Sequence, residues 1–131
     1  GESVTIAALN FSLPEALLLQ KKLLECGLSS DLFSVNSCWP CRWERIKESV
    51  ARTKTIVVLD DCKGATSFGY KLLYHVCSDN VSCRKIMVTR EDDLDVGVCS
   101  DELRIDYDAV IAQIVEPSPE AGQIQNILLR S

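Results

Sequence analysis

The chain of 131 residues has no apolar run near the length of about 18 that marks a transmembrane helix, which excludes a helical membrane span. It is short of glycine. Its six glycines form neither a dinucleotide-binding nor a phosphate-cradling loop, so the first strand-to-helix turn, Asn10-Phe11-Ser12-Leu13-Pro14, cannot bring backbone against a pyrophosphate. It has one histidine, His75, placed inside a helical pattern and read as a packed or surface residue; no H-E-x-x-H or G-x-S-x-G motif exists. Basic residues are also scarce. The net charge is −5, and between residues 91 and 108 eight acidic side chains face only Arg104. That segment repels a polyanion, and no Lys/Arg stripe offsets it, which argues against nucleic-acid binding. It is read as a solvated surface loop. The chain starts at Gly1 with neither methionine nor a basic or apolar leader and is read as a processed or excised piece.

What is present suits one domain. Hydrophobic residues make up 47% and charged residues 25%, and a chain of this size buries roughly two thirds of its unfolded surface without a staple. Seven cysteines, odd in number and unevenly spaced, fit a reducing compartment rather than a disulfide framework. The expected location is therefore intracellular, cytoplasm or organelle. Cys26 and Cys77 fall late in helical patterns, as small hydrophobes. Cys83 lies just before a strand, with no chemical role assigned. Cys38-Trp39-Pro40-Cys41 has the spacing of a redox dithiol. A zinc site there needs two more ligands, with only Cys62 at the same sheet end. Inert loop cysteines are the preferred reading and a redox pair is the alternative.

Val4–Leu9 and Thr55–Leu59 are short, β-branched and almost wholly apolar, as central strands of a parallel sheet must be. Lys85–Thr89 is a weaker strand, and Asp31–Asn36 alternates only partly. Ser12, Pro14 and Glu15 have capping-box spacing at the start of a helix that ends at Gly27. Its apolar side gathers Leu13, Ala16, Leu17, Leu19, Leu23, Leu24 and Cys26. Further helices are expected at Trp43–Arg52, Ser67–Cys77 and from about Asp106, the last favoured by Asp106 or Asp108 at its positive end. Glu116-Pro117-Ser118-Pro119 breaks the pattern, leaving Ile124, Ile127 and Leu128 as an apolar turn or part of a tail. The order predicts a three-layer α/β/α domain with a mostly parallel sheet over residues 1–115 and a tail or linker over 116–131. Ligands of such folds gather at the carboxyl ends of the strands. There Asp60 and Asp61 follow the best central strand. Consecutive strand residues face opposite ways, and two carboxylates make a poor magnesium site, so structural caps or an interface are preferred to catalysis.

The ordered pieces resemble the C-terminal domain shared by transketolase, 1-deoxyxylulose-5-phosphate synthase and the beta subunits of 2-oxoacid dehydrogenase E1 components. Gly1-Glu2-Ser3-Val4-Thr5-Ile6 followed by Pro14-Glu15-Ala16-Leu17 is similar to the family's first strand and helix start. Gly27–Val35 is similar to its second-strand passage, Ile46–Asp61 to a helix leading into the central strand and its acidic tip, and Thr66-Ser67-Phe68-Gly69 to its glycine-rich place. Ile105–Ile114 resembles the closing helix. The second loop, Asn36–Trp43, departs from the family pattern and keeps only its proline.

The resemblance implies that intact enzymes of this kind use thiamine diphosphate and Mg²⁺ held by preceding domains, while this domain serves packing and subunit assembly. It carries over no catalytic, cofactor-binding or metal residue to this segment, and no activity is expected from it alone. Candidate interface residues are Phe11, Trp39, Trp43, Asp60, Asp61 and Phe68. The expected partners are upstream thiamine-binding domains or subunits of the same enzyme and a second copy in a homodimer, with no nucleic acid and no membrane. The competing readings are a small thiol oxidoreductase using Cys38 and Cys41, and a free-standing protein-interaction module.

Overall fold

Six consecutive buried residues need cover on both sides, and Val4–Leu9 finds it as β1 near the middle of a parallel sheet. The structure, a computed structural model, describes residues 1–36, 42–63, 68–78, 82–90, 105–116 and 124–129. After β1 (Val4–Leu9) come α1 (Leu13–Glu25), β2 (Ser30–Val35), α2 (Glu44–Thr53) and β3 (Thr55–Lys63). These are followed by α3 (Phe68–Cys77), β4 (Arg84–Arg90), α4 (Tyr107–Val115) and β5 (Ile124–Leu129). Every pairing is parallel, in the order β2-β1-β3-β4-β5. The expected α/β/α architecture stands.

Alternation along the strands divides the core. Val4, Ile6, Ala8, Val57, Leu59, Ile86 and Val88 meet Ala16, Leu19 and Leu23 of α1 and Val110 of α4. Ala7, Leu9, Ile56, Val58 and Met87 meet Ile46 and Val50 of α2 and Leu72, Leu73 and Val76 of α3 on the other face. Gly69 allows α3 to lie this close: a Cβ there would stand 2.2 Å from Met87 Cε and 3.0 Å from Val58 Cγ1.

Three local expectations need correction. The segment 124–129 is neither an apolar turn nor a tail. It is a strand whose Ile124–Leu129 register runs along Lys85–Arg90, so the sheet continues past residue 115. A six-residue segment, I-Q-N-I-L-L, is too short to tell strand from helix by period, and the edge of β4 supplies the deciding partner. At the start of α1, Ser12 is the N-cap residue but makes no side-chain cap. Its hydroxyl is buried and within donating reach of the Leu9 carbonyl at 2.6 Å and the Leu59 carbonyl at 2.9 Å, and Glu15 Oε2 is buried with no hydrogen-bond partner among the described residues. Finally, the buried stripe of α1 is narrower than expected: Leu17 and Leu24 are exposed, as is Cys26. The start of α4 lies near Asp106 as expected, and Asp106 caps it by accepting from the Ala109 amide at 3.0 Å.

A seam of hydroxyls fastens α2 to β1. Buried Thr5 Oγ1 lies 2.7 Å from Ser49 Oγ and 2.8 Å from Thr53 Oγ1. Ser49 donates onward to Asp31 at 2.7 Å, and Asp31 also pairs with Arg52 and the Gly1 ammonium. The Gly1 ammonium, then the Ser49 hydroxyl and Arg52, hold the Asp31 carboxyl below its ordinary value of 3.8. A carboxyl depressed on folding stabilises fully above its unfolded value and loses that contribution as pH falls through the lower folded value. Asp31→Asn should therefore lower stability at pH 7 and leave it nearly unchanged well below pH 3.8, in urea unfolding followed by circular dichroism. Equal loss at both pH values contradicts the assignment. Gly69→Ala should cost about 1–3 kcal/mol by overpacking. In a double-mutant cycle with Met87→Ala the pair should cost less than the sum.

Candidate functional site

A parallel sheet ordered β2-β1-β3-β4-β5 reverses its winding direction between β1 and β3, and the crevice beyond their carboxyl ends is where such folds take ligands. At this edge several of the described residues are tied to one another. Asn10, the residue after β1, adopts a left-handed backbone with φ 54°, a conformation asparagine tolerates better than most residues. Its side-chain amide donates to Asp60 Oδ1 at 2.9 Å and lies 3.2 Å from Cys62 Sγ. Ser12 adds its link to the Leu59 carbonyl.

The tip of β3 carries a bulge. Pairing with β4 runs Leu59↔Val88 and resumes at Lys63↔Arg90, so Asp60, Asp61 and Cys62 together oppose Thr89. The bulge breaks the alternation expected for these residues and gathers the ligand atoms of all three within 4.8 Å of one another. Asp60 is fully buried. Its Oδ1 accepts from the Cys62 amide at 3.0 Å as well as from Asn10, and its Oδ2 accepts from the Gly69 amide at 3.3 Å in the first turn of α3. A carboxylate at the positive end of a helix, held by three N–H donors, is an anchor. Asp60 is thus internal and does not present a surface to a partner, which corrects its place among the interface candidates. Asp61 beside it is half-buried.

The same geometry tests the cluster as a metal site. Mg²⁺ needs near-octahedral oxygen, but both Asp60 oxygens are engaged, which leaves Asp61 to supply oxygen. Burial, Asp60 and Asp61 push the Cys62 thiol up to about 11, so it stays protonated at neutral pH and is a poor thiolate ligand. These residues do not fit the magnesium ion that thiamine diphosphate carries.

Aromatic side chains form the neighbouring rim. Trp43, at the N-cap of α2, stacks on Phe68 of α3 at 5.8 Å between centroids and on His75 at 6.2 Å. This joins the two helices on one face of the sheet. It matches the packed reading of His75, whose edge also meets Tyr74. A groove of about 350 Å³ runs beside it, lined by Phe33, Val35, Arg42, Trp43 and Ile46. Phe11, one residue beyond Asn10, is 87% exposed. Cys38, Trp39 and Cys41 lie outside the described residues, as does the acidic run from 91 to 104. Asn10 and Gly69 as partners of Asp60 were not apparent in the sequence. The available signals were an asparagine in a tight strand-to-helix turn and a glycine in the first turn of a helix.

Residues 1–98 match the family model described as transketolase, C-terminal domain. No curated protein sequence matches the chain. Among solved structures it resembles a split-gene transketolase described as an inactive β4 tetramer, with 22% sequence identity and a TM-score of 0.70. The match covers 87% of this chain and 37% of the other, so the chain spans little more than a third of that protein's length. At that identity the likeness speaks for the fold.

Asp60→Ala leaves the Gly69 and Cys62 amides and the Asn10 amide without this acceptor. It should lower the unfolding free energy by about 2–3 kcal/mol, with Asp60→Asn losing less because one carbonyl oxygen remains. Urea midpoints measure both, and an alanine effect below about 0.5 kcal/mol, the range of ordinary surface changes, would overturn the anchor.

Proposed function

The chain belongs to the transketolase C-terminal domain family, and on that premise we propose that it is a noncatalytic packing and assembly domain of a thiamine-diphosphate-dependent enzyme. The observation that carries this reading is the internal use of the polar groups described at the switch point. Asn10 and the Gly69 amide both donate to Asp60, the Ser12 hydroxyl donates to the Leu59 carbonyl, and the described residues there do not fit magnesium. The edge instead presents apolar surface. Phe11 stands out at the strand ends and Leu17, Leu18 and Leu24 lie uncovered on α1, a composition suited to burial against protein.

On this reading thiamine diphosphate and Mg²⁺ are held by further domains or subunits of the same enzyme. Reaction with a sugar phosphate or oxoacid happens there. The structural relative covers far more chain than this one and is described as a tetramer, which supports assembly with those domains and with a second copy. Phe11 and the half-buried Trp43–Phe68 pair are the contacts we assign to the partner, with Asp61 beside them. No helix among the described residues is long and apolar enough to cross a membrane. The free Cys26, Cys62, Cys77 and Cys83 favour a reducing intracellular compartment.

Light scattering of the chain mixed with transketolase thiamine-binding domains should give a complex mass above that of either component. Phe11→Glu should weaken the complex about tenfold or more, as loss of a central aromatic contact does. A chain that stays monomeric and ignores those domains contradicts the proposal. So does turnover of a sugar phosphate by the chain alone with thiamine diphosphate and Mg²⁺.

A further inference from the structure

At the opposite end of the sheet from Asp60, two thiols meet. Cys77 is the last residue of α3 and Cys83 is the residue before β4, and their sulfurs are 3.3 Å apart. Both sulfurs are held by the core. Leu72, Leu73 and Val76 bury α3, and the Arg84 amide donates to the Lys54 carbonyl at 2.9 Å, tying the start of β4 to the end of α2. A disulfide has sulfurs about 2.05 Å apart, so closing the bond needs an approach of only about 1.3 Å. We propose that Cys77 and Cys83 are a reversible oxidation site, which a small hydroperoxide converts to a disulfide bridging α3 and β4.

The surroundings divide the two roles. The hydrogen bond with Cys77, together with the positive charge of Lys85 and Lys54, lowers the Cys83 thiol below its ordinary value despite burial. Cys77 shifts the other way, raised by its bond to Cys83, by burial and by the negative charge of Cys83. Cys83 is the attacking thiolate and Cys77 the resolving thiol. Cys83 is only 6% exposed, which favours a small peroxide over a bulky disulfide as the oxidant.

The chemistry balances in two steps. The Cys83 thiolate gives an electron pair to one peroxide oxygen, the O–O bond breaks, and hydroxide or alkoxide leaves; Cys83 becomes a sulfenic acid. That removes the negative charge that restrained Cys77. The Cys77 sulfur then attacks the Cys83 sulfur, the S–O bond breaks, and the departing hydroxide takes the Cys77 proton as water. The two thiols lose two electrons and two protons, and hydrogen peroxide becomes two waters. A dithiol reductant reverses the modification by thiol–disulfide exchange.

The test treats the full unsubstituted chain with one equivalent of hydrogen peroxide, blocks remaining thiols with iodoacetamide and maps peptides by mass. The expected product is a tryptic peptide over residues 72–84 that carries an internal Cys77–Cys83 bridge, with Cys26 and Cys62 alkylated and the bridge lost on dithiothreitol. In Cys77→Ser, the Cys83 sulfenic acid should persist and be captured by dimedone. The pH profile of Cys83 alkylation in the unsubstituted chain should inflect below the ordinary thiol value of 9.0, under the influence of Cys77, Lys85 and Lys54. Full alkylation of both thiols after peroxide overturns the proposal, as does a bridge formed instead with Cys38, Cys41 or Cys99. An alkylation midpoint at or above the ordinary thiol value of 9.0 overturns the assigned roles.

Discussion

The buried Asp60 carboxylate is the constraint on which the carboxyl edge depends. A charge taken out of water is costly unless its oxygens are fully used. Asn10, the Cys62 amide and the Gly69 amide use them. Each hydrogen bond to a charged group contributes about 1.5–3 kcal/mol, but the greater effect is geometric. One side chain joins the bulge of β3 and the first turn of α3 to the turn after β1, which lies 50 residues away in sequence. Gly69 serves twice, since its amide meets Asp60 and its missing Cβ gives Met87 and Val58 room.

Function follows from what this anchor occupies. A doubly wound sheet opens a crevice at its switch point because neighbouring loops leave in opposite directions. In many α/β proteins backbone amides there meet a phosphate, but in this chain the amide of Gly69 meets a carboxylate of its own sheet. Among the described residues this edge is braced from within, beside an apolar and aromatic rim.

Much of the architecture is legible in the sequence because burial on two faces leaves a strong mark. Val4–Leu9 and Thr55–Leu59 read as strands from their apolar runs, and α1 runs between Pro14 and Gly27, whose φ of 77° ends it as expected. What eluded pattern reading depends on distant partners. The Ser12 hydroxyl is directed to Leu59, 47 residues away, in preference to the local cap. Ile124–Leu129 becomes a strand only because β4 has an edge to offer. Asp60 and Asp61 obey a bulge that no alternation rule foresees. Cys77 and Cys83, unremarkable as separate residues, become a pair through the return from helix to strand.

The most direct test of this account is native-state hydrogen exchange at the Gly69 amide, which sits in the first turn of α3 and donates to the Asp60 carboxylate. With Asp60 as its buried acceptor, it should exchange only through the largest openings, with a free energy close to that of global unfolding. Exchange at the rate of a fraying helix end would contradict an anchored edge, and with it the assignment of this domain to packing.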